Sequence, residues 1–122
     1  VRAHPTMGQA YKVPQVMVEA VVGKFAPREG SITALRLGKL AIIGVPGEPT
    51  SHLGRAIKAY GLQMGFSDVL VLSHVNGWMG YILDRSDYDQ GGYEATLSFY
   101  GREEGEKVVE AGKAALRKLV GP

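Results

Sequence analysis

Leu40-Ala41-Ile42-Ile43-Gly44-Val45-Pro46-Gly47-Glu48-Pro49-Thr50-Ser51-His52-Leu53-Gly54-Arg55 joins an apolar strand to an amphipathic helix through a turn rich in proline and glycine. Leu40–Ile43 has no polar alternation, the pattern of a strand covered on both faces. Pro46, Gly47 and Pro49 break it. Thr50 or Ser51 is then a suitable helix N-cap. Leu53, Ala56, Ile57, Tyr60 and Met64 follow at helical spacing, with Arg55 and Lys58 elsewhere on the helix. Gly65 marks a stop. Asp68-Val69-Leu70-Val71-Leu72 repeats the pattern of a doubly covered strand. Leu40–Leu72 therefore predicts strand–helix–strand, a parallel α/β unit.

Upstream, Ile32–Leu37 and Leu40–Val45 flank Gly38-Lys39, which predicts a β-hairpin. Val16–Phe25 is rich in β-branched residues and predicts a further strand. Val1–Gln15 holds Pro5, Gly8 and Pro14 without an apolar period, and reads as an irregular arm or the tail of a missing upstream segment. Downstream, Ser73–Gly80 reads as a turn, Tyr81–Leu83 as a short strand and Asp84–Gly92 as an acidic loop. Gly91-Gly92 is either a hinge over a pocket or a plain turn. Tyr93–Tyr100 carries no assignable period. Arg102–Val120 predicts a helix, with Val108, Gly112, Ala115, Leu116 and Leu119 as its apolar stripe and charges matched to the dipole. The expected fold class is α/β. It comprises a small, mostly parallel or mixed sheet with a strand–helix–strand core, an N-terminal strand plus hairpin, and a C-terminal helix. Residues 16–122 are expected to form one such domain, with residues 1–15 outside it.

The 122 residues suit about one domain, and 45% apolar with 21% charged residues is ordinary for a globular chain. A net charge of +2 argues against a nucleic-acid surface. The absence of cysteine excludes a disulfide framework and a thiolate zinc site. Apolar runs such as Leu40–Ile43 fall far short of the ~20 residues a membrane-spanning helix needs. No signal peptide is visible, and the compartment stays unassigned. The first residue is Val1, so the chain reads as processed or as a piece of something longer.

In open α/β sheets, ligands bind beyond the carboxyl ends of strands. Gly44–Ser51 and Ser73–Tyr81 are such ends. Glu48 precedes a helix N-terminus, where it serves either as a helix-start acid or as a rigidly held functional carboxylate. The second turn offers His74, Asn76, Trp78 and Tyr81. His74 is either a ligand or a hydrogen-bonded structural residue. Trp78 either packs a loop or lines a pocket, and with Asn76 it is a candidate substrate contact. His52 lies four residues after Glu48, too loose a spacing to define a pair. His4 is expected at the surface. The acidic loop lacks the oxygen pattern of an EF-hand. Gly44-x-x-Gly47 lacks the remaining residues of a phosphate loop or dinucleotide fingerprint. No nucleophile motif is present.

The segment Leu40–Arg55 also resembles the neutral, non-lysosomal ceramidase family. Its members carry a hydrophobic strand, Pro-Gly-Glu-x-Thr-Thr, and a Gly-Arg pair opening a helix. The resemblance runs on through Asn76 and Tyr81-Ile82 to Tyr93-Glu94-Ala95-Thr96-Leu97-Ser98-Phe99-Tyr100-Gly101. It implies the carboxyl-terminal part of a catalytic domain that splits an N-acyl bond with the help of zinc (Zn2+). By motif position, Glu48 and Tyr81 correspond to metal ligands, and Tyr93 to a tyrosine contacting the reacting amide. The family's histidine ligands belong to an upstream portion with no counterpart in Val1–Gln15. Pro49 and Trp78-Met79-Gly80 depart from the family pattern.

Two functions follow. One is a part of a ceramidase-like zinc amide hydrolase acting on a lipid amide, its site completed by a missing upstream part or a second chain. The other is a non-catalytic α/β domain that binds a partner through its sheet edge or an apolar pocket, the exposed edge being covered by a partner or an oligomer. By itself the chain is expected neither to hold zinc tightly nor to hydrolyse amides. The two readings differ in whether Glu48 and Tyr81 converge.

Overall fold

Gly38 and Lys39 turn the chain back on itself, Gly38 at a φ of 61° that a side chain would resist. The computed structural model describes residues 1–121. On either side of the turn, β1 (Thr33–Leu37) and β2 (Leu40–Gly44) pair antiparallel, with Leu37 opposite Leu40, as the hairpin reading expects. From β2 the chain passes through a short strand, β3 (Glu48–Pro49), into a helix. Two further helices precede the hairpin, so the elements run α1 (Met7–Ala10), α2 (Gln15–Phe25), β1, β2, β3, α3 (Ser51–Gln63), β4 (Asp68–Leu72), β5 (Tyr81–Ile82), α4 (Arg85–Gln90) and α5 (Glu104–Val120). A 3₁₀ turn, Glu94–Leu97, separates α4 from α5.

The main sheet has the order β1-β2-β4, with β2 parallel to β4 and Ile43 opposite Val71. The right-hand half is the strand–helix–strand unit that Leu40–Leu72 predicts. Thr50 precedes α3, and Gly65 ends the turn after it at a φ of 97°. α3 and α5 pack on each other and on one face of the sheet. Ala41, Ile43 and Val69 from the sheet meet Leu53 and Ile57 from α3, and Val108, Val109 and Leu116 from α5. A second cluster joins Ala3, Met7, Val18 and Phe99, which docks the amino-terminal segment onto the segment before α5. The tie is also made by backbone, since the Arg2 and His4 N–H groups donate to the Phe99 and Ser98 carbonyls. No helix among the described residues is long and apolar enough to cross a membrane.

Four local expectations need correction. Val16–Phe25 is not a strand but helix α2. Its inward residues are Val18 and Val22, four apart, so the helical period outweighs the β-propensity of valine, which depends on neighbours this segment lacks. Asp84–Gly92 is not a loop throughout. The Asp84 carboxylate accepts the Asp87 N–H at 2.9 Å and starts α4. Gly91 and Gly92, both at positive φ, turn the chain out of that helix. β4 is not covered on both faces, because helices lie on one side only: Val69 is buried while Leu70 and Leu72 are exposed. His4 is buried rather than exposed. Its Nε2 donates to the Tyr88 carbonyl at 2.8 Å, and its Nδ1 accepts the Thr6 N–H.

Candidate metal and substrate site

The two β-strand ends carry the candidate residues onto a single small ladder. Val45 N–H donates to the Leu72 carbonyl, and Val75 N–H to the Val45 carbonyl, so the two loops leave the sheet side by side. Their continuations meet again as β3 and β5, which pair parallel with Glu48 opposite Tyr81 and Pro49 opposite Ile82. The Glu48 N–H donates to the Gly80 carbonyl at 2.9 Å, and the Thr50 N–H to the Ile82 carbonyl at 3.0 Å. Side chains at paired positions of a parallel ladder lie on the same face. The carboxylate after the first strand and the phenol after the second therefore share one side.

The electrostatics agree with that placement. Desolvation pushes the Tyr81 phenol above its usual value, and the Glu48 carboxylate raises it further, followed by Tyr93 and Glu94. A phenol whose ionisation a neighbouring carboxylate opposes is one that a cation would relieve. Tyr93 stands edge-on to Tyr81, ring centroids 5.9 Å apart. His74 joins the group from the loop after β4. Its Nε2 lies 3.4 Å from Glu48 Oε2, and its N–H donates to the Gly47 carbonyl. Sequence reasoning gave His74 no definite partner. Its position just beyond β4, parallel to Gly47-Glu48 beyond β2, is the signal that pairs them.

The other candidates lie apart from this group. Asn76 donates through Nδ2 to Thr33 Oγ1 at 2.9 Å, tying its loop to β1. Trp78 is half exposed and packs against Phe99, centroids 5.5 Å apart. His52 is exposed on the first turn of α3, where Arg55 donates to its Nδ1. Among the described residues no three acidic, histidine or cysteine side chains cluster around one point. The donor set that does assemble is one carboxylate, one imidazole and one phenol, types that suit zinc. A cleft of about 240 Å³ opens near it, lined by Thr50, Leu83 and Glu94. Thr50 and Leu83 each follow the paired residues by two positions. The Thr50 hydroxyl there has no hydrogen-bond partner among the described residues.

No protein-family model matches the chain. A neutral ceramidase of Mycobacterium tuberculosis is 32% identical over 76 residues, 60% of this chain and 12% of that protein. Neutral ceramidase 1 of Arabidopsis thaliana is 32% identical over 87 residues, 63% of this chain and 11% of that protein. Among solved structures, a ceramidase complexed with C2 superposes with a TM-score of 0.63 at 25% identity, covering 72% of this chain and 15% of that one. The neutral ceramidase of Pseudomonas aeruginosa has the same fold over this region, with a TM-score of 0.65 at 24% identity and the same coverage. The chain thus spans between 11% and 15% of the length of these relatives.

Proposed function

We propose that this chain, which carries a domain segment of the neutral ceramidase family, supplies part of the metal and substrate site of a zinc-dependent amide hydrolase acting on a lipid amide. The observation that carries the proposal is the β3–β5 pairing, which sets Glu48 opposite Tyr81. Glu48 and Tyr81 would hold the ion, with the remaining ligands coming from outside these residues. Bound zinc would supply Lewis acidity at an acyl carbonyl and a nucleophilic water near neutral pH.

The chain's own residues have separate tasks. Glu48 lowers the net charge of the site, and its backbone is held by Gly80. Tyr81, raised while free, would ionise on loading because the cation reverses the repulsion from Glu48. Tyr93, edge-on to Tyr81, would donate a hydrogen bond to the developing oxyanion. Trp78 offers an exposed apolar ring to the acyl or alkyl portion of the substrate. Asn76 is less free to act on substrate, because its amide already donates to Thr33.

The test is metal content and amidase activity of the protein that carries this chain. Glu48→Gln and Tyr81→Phe should each lower zinc occupancy and cut kcat by about 10²-fold or more, since ligand loss removes the Lewis acid. Tyr93→Phe should lower kcat while zinc stays bound. Full occupancy in both ligand variants would defeat the reading. The isolated 122 residues should bind zinc weakly and hydrolyse nothing. A second reading, a scaffold kept for assembly without catalysis, draws support from the uncovered aliphatic face of the main sheet.

A further inference from the structure

Tyr93 hangs from a part of the chain that packing does not hold. It is 66% exposed, and Gly91 and Gly92 precede it at φ values of 74° and 99°. A Cβ built on either glycine would meet no atom within 4 Å, so the pair serves backbone conformation and not a close fit. The edge-on contact with Tyr81 joins two rings and fixes no backbone. A donor to a developing oxyanion has to be in place before the reaction, and a shift of about 1 Å can cost ~10²-fold. The fixation must therefore come from the two flanks of the glycine pair and its tyrosine.

On the far flank, Thr96 supplies it. Its N–H donates to the Tyr93 carbonyl at 3.1 Å, and its hydroxyl donates to the same oxygen at 2.6 Å. With its one proton so committed, the Thr96 oxygen can only accept from the Tyr11 hydroxyl, 3.5 Å away at the end of α1. On the near flank, the Tyr88 carbonyl in α4 accepts the Gly91 N–H at 3.2 Å and His4 Nε2 at 2.8 Å. The backbone bonds from His4 to Ser98 and from Arg2 to Phe99 secure the chain just beyond the 3₁₀ turn. One stretch, Arg2 to Tyr11, thus grips Gly91-Gly92-Tyr93 from both sides.

We propose that the amino-terminal segment is a clamp that positions Tyr93, with Thr96 and His4 as positioning residues. The inference rests on the oxyanion role given to Tyr93 above, and adds the means by which the phenol is kept in place. The clamp acts through hydrogen bonds to backbone carbonyls and touches neither Glu48 nor Tyr81. When it is loosened, rotation at two unpacked glycines lets the phenol swing away from Tyr81.

The test uses the protein that carries this chain. Thr96→Val keeps the side-chain shape and removes the hydroxyl, and Thr96→Ser keeps the hydroxyl. Amide hydrogen exchange across residues 91–97 is expected to quicken about five- to tenfold in Thr96→Val, the effect of one lost hydrogen bond, and to stay slow in Thr96→Ser. His4→Leu should quicken the same stretch by freeing the end of α4. Thr96 is only half-buried, so its variants should fold even where His4→Leu does not. Thr96→Val should also lower kcat by about tenfold with KM and bound zinc unchanged. In a Tyr93→Phe background it should lower kcat no further. Unchanged exchange in Thr96→Val would overturn the clamp, and so would an equal loss of kcat with and without the Tyr93 hydroxyl. Full kcat in Tyr93→Phe alone would instead overturn the role of Tyr93 in the hydrolase, while the exchange rates decide the clamp by themselves.

Discussion

Gly80 holds the candidate site together from behind. Its carbonyl accepts the Glu48 N–H, its backbone bridges to Ser98, and its φ is 75°. A Cβ at this position would run into the Leu97 carbonyl and the Phe99 ring. Gly80→Ala is therefore expected to cost roughly 2–3 kcal/mol, from backbone strain and the clash together. The urea midpoint checks it, and an unchanged midpoint would mean that the two loops relax freely. Glu104 gives a prediction of opposite sense. Its folded carboxyl titrates near 8 against an ordinary value of 4.5. The folded state thus binds the proton more tightly than the unfolded one. That stabilisation is complete below the unfolded value and is lost as pH rises through the folded one. Between those two values the stability should fall with pH, at a limiting slope of ~1.4 kcal/mol per pH unit. Glu104→Gln should remove that component of the slope, measured by urea unfolding at about pH 5 and about pH 8.

Helices α2 and α5 show how differently an apolar residue can count. Leu116 on α5 is fully buried among α3, α5 and the sheet. Leu116→Ala should cost about 2–5 kcal/mol, through lost burial and the cavity left behind. Phe25 on α2 is 79% exposed, and Phe25→Ala should stay within about 0.5 kcal/mol by the same denaturation assay. Composition points the wrong way, since α2 is the more apolar of the two and the less buried. α5 declares its inward side by charge at its two ends and a continuous stripe between them. α2 keeps Val16, Met17 and Val21 exposed beside the inward Val18 and Val22. Its valines blur the helical period, which is why a strand reads as plausible there. α4 is hidden for another reason: a single capping hydrogen bond, donated by the Asp87 N–H to the Asp84 carboxylate, starts a helix with no buried residue.

The molecule is a two-layer arrangement with one layer of helices and one uncovered sheet face. Leu35, Ile42 and Leu70 are cross-strand neighbours on that face, and Leu35, Leu37, Leu70 and Leu72 are all exposed. A contiguous aliphatic surface of this kind favours association in water. Leu35→Lys combined with Leu70→Lys should reduce self-association, seen by light scattering, while leaving the urea midpoint nearly unchanged. A large fall in midpoint would show instead that the face is part of the folding core. The strands Leu40–Ile43 and Asp68–Leu72 carry the sequence pattern of cover on both sides, which is the cover a parallel sheet ordinarily has. Within these residues only α3 and α5 supply it.

What the chain determines locally is the set of turns and helices whose signals lie within a few residues of one another. Gly38-Lys39 makes the hairpin, Thr50 and Gly65 bound α3, and the charge-graded stripe makes α5. The resemblance to the neutral ceramidases is legible in the same short motifs. Tertiary structure alone decided the rest. Glu48 comes opposite Tyr81 because two loops leave adjacent parallel strands and pair again as β3 and β5. His74 reaches Glu48, and Glu104 loses its partners, for the same reason: distance in space and access to water depend on how separate elements stack, and no spacing along the chain encodes either.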